Sequence, residues 1–201
     1  MEIMRTLRVA NLDGAFSTAF ITLTTGSFLV GLLKEMKAGD LWLGLLTAVP
    51  AIAGLAQIPG SVLGRSFRSY KGYIWRGGLL WRLLHIPLAL APLVAFATDV
   101  KLFFLLSCVG IAALAVNLVN PIYGDWLGRL IPESSRGTFY GKRNSLMAAV
   151  GTVIGLAGGL LVDALKRQNF GEKAYSAVFT LGLVCAAISY YFFSKMTDLE
   201  R

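Results

Sequence analysis

Charge is scarce in this sequence. Only 15% of its 201 residues are Asp, Glu, Lys or Arg, against about 25% in an ordinary soluble domain, so a soluble enzyme of common composition is excluded. Histidine is scarcer still. The single one, His85, cannot build a histidine-rich metal site, and no H-E-x-x-H occurs, so no metal is expected. The two cysteines, Cys108 and Cys185, lie inside apolar runs and read as small reduced core residues, which excludes a disulfide scaffold. No G-x-x-x-x-G-K-[ST] loop is present, so nothing points to an ATPase. No Ser/His/Asp grouping can be defended, so no catalytic residue, enzyme activity or cofactor is expected. No signal peptide is evident either: the first apolar run is too long for an h-region and lacks a small-residue cleavage site, so it should stay as a helix.

What the chain has instead is apolar residues, 56% of the total, with a mean hydropathy of +0.66. This excludes disordered and collagen-like readings and marks an integral membrane protein. A helical span needs about 20 mostly apolar residues. Six stretches qualify: Leu12–Leu33, Leu41–Leu63, Tyr73–Phe96, Leu102–Tyr123, Asn144–Leu165 and Ala174–Phe193. They are apolar at consecutive positions, whereas a barrel strand alternates over about 10 residues. The expected fold is therefore an all-α membrane protein, a single six-helix transmembrane bundle over residues 1–201.

The surplus of basic residues, a net charge of +8, would suggest nucleic acid in a soluble protein. In a membrane protein it reports topology, and no nucleic-acid partner is expected. Twelve Lys and Arg fall on the side that holds both termini and six on the other. By the positive-inside rule both termini are cytoplasmic, and the expected location is the bacterial inner membrane. Tyr70, Tyr73 and Trp75 fit an aromatic interface belt beside the second loop.

Two loops carry motifs. The second span ends in Gly60-Ser-Val-Leu-Gly64-Arg65-Ser-Phe67-Arg68-Ser69, where the small residue lets helices approach and the arginines anchor the loop to phosphates or helix ends. The loop before the fifth span reads Pro132-Glu-Ser-Ser-Arg136-Gly137-Thr-Phe-Tyr-Gly141-Lys142-Arg143, a basic, tightly turning linker. The first resembles the G-x-x-x-D-[RK]-x-G-[RK]-[RK] pattern of the major facilitator superfamily, with Gly60, Arg65 and Arg68 in place. Gly64 replaces the aspartate, Phe67 the second glycine and Ser69 the last basic residue. The second resembles the P-x-x-x-R-G-x-x-x-G stretch of the same superfamily, through Arg136, Gly137 and Gly141. With six spans and matching loop lengths, the resemblance covers nearly the whole chain. It implies two inverted three-helix repeats, as in one half of such a transporter, and a second six-helix bundle as partner.

Within the spans, Asp13, Ser17, Thr24 and Ser27 fall within about 40° of one direction on a helix. A polar stripe in lipid must face protein or water, and the resemblance places the first and fourth helices at a central cavity. Two roles are open to Asp13, a cavity carboxylate or a cap on the helix N-terminus. Asn117 and Asn120 share a broad face of the fourth span beside Pro121 and line the cavity or hydrogen-bond to other helices. Arg82 and His85 share a face of the third span. A charge at the bilayer centre costs roughly 2.5–3.5 kcal/mol and needs a partner or a water path, so Arg82 either snorkels or joins His85 in ion coupling. Gly151, Gly155 and Gly159 repeat every four residues and read as a helix-packing face. Leu156 stands where the superfamily's antiporters carry proline, so the antiporter subset is not supported.

The function these readings point to is secondary transport of a small solute by alternating access. The chain would act as an N-terminal half or a half-size form, in a lipid bilayer and paired with a separate half or a second copy. The alternative is a non-transporting scaffold that uses its glycine faces to bind other helices.

Overall fold

The computed structural model describes residues 2–67 and 69–198, without the side chains of residues 2–4 and 65. Among the described residues the chain is all-helical. In chain order the helices are α1 (Glu2–Thr24), α2 (Gly26–Glu35), α3 (Asp40–Ala53), α4 (Gln57–Leu63), α5 (Tyr70–Leu83), α6 (Ile86–Leu90), α7 (Thr98–Leu130), α8 (Arg136–Arg167) and α9 (Lys173–Ser194).

Among the described residues, five helical stretches are long and apolar enough to cross a membrane: Arg5–Glu35, Asp40–Leu63, Thr98–Leu130, Glu133–Arg167 and Lys173–Ser194. Each contains one of the expected spans and overshoots it at one end or both. Hydropathy marks the part of a helix suited to hydrocarbon, whereas backbone hydrogen bonding carries the helix on into polar sequence such as Arg129 or Arg136. The first stretch bends between α1 and α2 at Gly26, whose φ of +55° is a conformation that glycine adopts without a Cβ penalty.

The remaining expected span, Tyr73–Phe96, is discontinuous. α5 starts well, because the Ser69 hydroxyl accepts the Gly72 N–H at 2.9 Å in an N-cap. It stops at Leu83, a turn follows at Leu84–His85, and α6 resumes with proline in its first turn. Pro87 has no N–H to continue the ladder, which sets the break.

α1 packs along α9 and against α8, while α7 packs against α3, α4 and α5. Two apolar cores result. One gathers Leu29, Leu32, Leu105, Val178 and Phe179 at the end reached by α2. The other gathers Leu7, Ala10, Ile74, Trp126 and Phe193 at the end where α1 begins. Between them the same three helices, α1, α7 and α9, contribute polar residues instead, and these form the site together with arginines of α5 and α8.

Several helix crossings depend on missing side chains. A Cβ on Gly60 would stand 2.5 Å from the Leu118 carbonyl oxygen, so α4 meets the backbone of α7 there. One on Gly182 would stand 2.7 Å from Thr24, where α9 crosses α1. α3, α4 and α8 are the most exposed stretches, with Ile52, Ile58, Val153, Leu156 and Leu160 all facing outward.

Candidate functional site

Asp13 sits about three turns inside α1, far from its N-terminus, and is 5% exposed. The cap role is thereby excluded: the helix begins eleven residues earlier, at Glu2. Its carboxylate is held by two hydroxyls. Ser189 of α9 donates to Oδ1 at 2.7 Å and Tyr123 of α7 donates to Oδ2 at 3.3 Å. Each hydroxyl in turn accepts from a guanidinium. Arg82 Nη2 of α5 donates to Ser189 at 2.6 Å, and Arg143 Nη2 of α8 donates to Tyr123 at 3.1 Å. The result is a relay with one carboxylate at its centre: Arg82–Ser189–Asp13–Tyr123–Arg143. Arg82 Nη2 also stands 4.0 Å from Asp13 Oδ1.

Both arginines are fixed by main-chain carbonyls. Arg82 folds inward rather than snorkelling: Nε donates to Ala186 O and Nη1 to Gly78 O, and its plane lies 5.2 Å from the Trp81 ring centroid and 5.5 Å from that of Tyr190. Such cation–π contacts suit a charge withdrawn from water. Arg143 Nη1 donates to Ala10 O at 2.5 Å and to Asn11 Oδ1 at 3.4 Å. Its guanidinium occupies the space where a side chain on Gly14 would project, with a Cβ there falling 2.6 Å from Nη2.

The relay borders a cavity of about 230 Å³, whose wall includes Asp13, Ser17, Arg82, Asn120, Tyr123 and Arg143. A second cavity, of about 510 Å³, adjoins it on the side of α2 and α3 and is bordered by Thr25, Gly26, His85, Asn117 and Asn120. Ile21, Trp81, Val116 and Asn120 belong to both walls and form the partition. The first chamber is charged; the second is apolar with a few amides and hydroxyls.

Asp13, Ser17, Arg82 and Asn120 are thus brought together at one cavity, and Asn117 and His85 at its neighbour. Asn117 Nδ2 donates to Ala113 O while its Oδ1 accepts from Gln57 Nε2 at 2.8 Å, so this amide also bridges helices. His85 Nδ1 donates to the Trp81 carbonyl at 2.8 Å. Thr24 borders neither cavity. It is fully buried, its hydroxyl returns to Phe20 O, and its methyl faces α9 at Gly182. Ser27 is exposed beyond the bend.

At the loops, Gly60 makes the close approach to α7 described above. Arg136 Nε donates to the carbonyls of Gly128 and Ile131, closing the end of α7. Gly137 and Gly141 have open space where a Cβ would be. Arg68 lies outside the described residues, as does the side chain of Arg65. A Cβ on Gly151 or Gly155 would stand 3.5–3.6 Å from Thr18 or Thr22 of α1, whereas one on Gly159 would meet nothing within 4 Å. The close position on that stretch is its neighbour Gly158, where a Cβ would stand 2.7 Å from Phe28.

Among the described residues no group of three metal-ligating side chains occurs. Ser189, Tyr190, Trp81 and Arg143 are site residues that the sequence reading did not single out for this role. No protein-family model, curated protein or solved structure matches the chain.

Proposed function

We propose that the chain is one six-helix bundle of a secondary transporter of the major facilitator type, moving a small solute by alternating access. The broken α5–α6 segment counts as the third of six spans, arranged as two inverted three-helix repeats, with both termini cytoplasmic. The observation that supports this most is the relay Arg82–Ser189–Asp13–Tyr123–Arg143 beside a chamber between helices. Charges inside a membrane are costly unless they serve a pathway, and a scaffold has no use for three of them around a void.

A second bundle, either a separate half or another copy of this chain, completes the cavity in this reading. Gln57 and Asn120 are exposed within the second and fourth expected spans, and lipid cannot satisfy an amide. Protein or water must cover that face. Transport then proceeds as solute enters beside Asp13 and Arg82, weakens their contact through Ser189, and so alters how α5 and α9 hold α1.

Cysteine accessibility tests this without knowledge of the solute. In a Cys108→Ala, Cys185→Ala background, Asn120→Cys is expected to react with a membrane-impermeant maleimide added to either side of oriented vesicles. Labelling from one side only, or from neither, would sink alternating access and favour the scaffold.

A further inference from the structure

The geometry points to a small monoanion with an apolar body as the solute of the charged chamber; this rests on the transport reading and narrows it to a substrate class. The starting point is a charge count. Two guanidiniums face one carboxylate, and among the titratable side chains at this cavity only Asp13 can supply a negative charge at neutral pH. Both Asp13 oxygens act as acceptors, from Ser189 and from Tyr123, the pattern of an ionised carboxylate. The chamber therefore carries one net positive charge.

Donor capacity leads to the same place. Asp13 already accepts from two hydroxyls and has the Arg82 guanidinium 4.0 Å from Oδ1, so its charge is matched within the wall rather than open to a cationic solute. Arg143 makes three hydrogen bonds through Nη1 and Nη2, out of the five N–H groups of a guanidinium. Its Nε–H and the second Nη2–H have no acceptor among the described residues. Nε and Nη2 lie along one edge of the guanidinium, the edge whose N–H fork binds a carboxylate with two parallel bonds. Neutral solutes would leave the extra positive charge uncompensated, and a dianion would overshoot it.

The rest of the wall sets the body of the solute. Ile21, Ile74, Val116, Val119, Trp81 and Tyr190 border the same chamber as Arg143 and supply its apolar surface. At about 230 Å³ the chamber admits a molecule the size of a substituted benzene ring, below the span of roughly 300–1,000 Å³ usual for drug-sized ligands.

Four benzene-ring probes separate the charge classes: the near-isosteric benzoate, benzamide and benzylamine, and the larger dianion phthalate. Binding to the full chain in nanodiscs is followed by tryptophan fluorescence, with Trp81→Phe to assign the signal. Benzoate is expected to bind about thirtyfold or more tighter than benzamide, the scale for losing one partner of a desolvated charge pair. Arg143→Gln should erase that preference and Arg143→Lys should keep part of it, with circular dichroism confirming that both variants are folded. Asp13→Asn, which leaves two positive charges, should shift the preference toward phthalate. Benzamide or benzylamine binding as well as benzoate, or no saturable binding of any probe by the folded chain, would overturn the assignment. Benzoate binding without flux in proteoliposomes would instead fault the transport reading and leave the anion site standing.

Discussion

Ser189→Ala removes one atom from the centre of the relay, and the structure limits what that costs. Ser189 is completely buried, accepts from Arg82 at 2.6 Å and donates to Asp13 at 2.7 Å. Hydrogen bonds to charged groups contribute about 1.5–3 kcal/mol each, so an unrelaxed loss would reach about 3–6 kcal/mol. Relaxation recovers part of it. Arg82 Nη2 is 4.0 Å from Asp13 Oδ1 and needs to advance about 1.2 Å to make a direct charge-assisted bond. Its bonds to Gly78 and Ala186 and its place between Trp81 and Tyr190 resist the full movement. The expected cost is about 2–3 kcal/mol, below the roughly 3–5 kcal/mol for removing one member of a buried ion pair, as Asp13→Ala would. For a chain of this size that lowers Tm by about 5–10 °C, read by thermal unfolding in mild detergent. Tyr123→Phe removes the opposite arm. Because both arms end on Asp13, the double variant should depart from additivity by more than about 0.5 kcal/mol. A Ser189→Ala protein melting within about 1 °C of the parent, or strict additivity with Tyr123→Phe, would refute the relay.

Glycine positions should separate sharply in the same assay. Gly60→Ala places a Cβ 2.5 Å from the Leu118 carbonyl oxygen and should cost about 1–3 kcal/mol through overpacking. Gly159→Ala meets nothing within 4 Å and should be neutral, or stabilising by up to about 1 kcal/mol through helix propensity. Equal effects would argue against this packing. At the end where α1 begins, Lys71 Nζ donates to the carbonyls of Ser194 and Met196, while Asp198 accepts from the Ser69 hydroxyl and the Lys71 N–H. Each helix end thus caps the other. Lys71→Met or Asp198→Ala should speed amide hydrogen exchange at both α5 and α9 termini together, and an effect confined to one terminus would contradict the reciprocal arrangement.

The polar stripe on α1 was legible because helical periodicity survives any tertiary arrangement. Asp13 and Thr24 do share a face, and both turn toward α9. What periodicity cannot supply is the partner on the other side. Ser189 and Tyr190 are two polar letters in an apolar run, and only the docking of α9 along α1 places one on Asp13 and the other on Arg82. Arg143 was hidden differently. The apolar window opens at Asn144, so Arg143 read as a loop cation, yet α8 begins at Arg136 and sets that guanidinium two turns inside a helix. The break in the third expected span escaped hydropathy altogether, because averaging over a window registers how apolar a segment is and not where a missing N–H interrupts its ladder.

That break also defines the role of His85. In an uninterrupted helix the His85 N–H would bond the Trp81 carbonyl; here it goes to Arg82 O instead, at 3.1 Å. The Trp81 carbonyl would be orphaned, and the imidazole Nδ1–H takes the place of the missing amide at 2.8 Å. A ring that donates to a carbonyl while packed edge-on against Phe20, with centroids 4.9 Å apart, is a cap for the end of α5. The ion-coupling role considered from sequence requires the same ring to gain and lose a proton near its reference pKa of ~6.5. The two roles give different results. If His85 caps, His85→Ala should cost about 2–4 kcal/mol, from the orphaned carbonyl and the lost aromatic contact. His85→Asn, which restores an N–H donor but cannot titrate, should recover about half of that. The Tm difference between the parent and the Asn variant should then be flat from pH 5 to 8. A difference that bends between pH 6 and 7, with solute flux following it, would make His85 a proton carrier and the cap incidental.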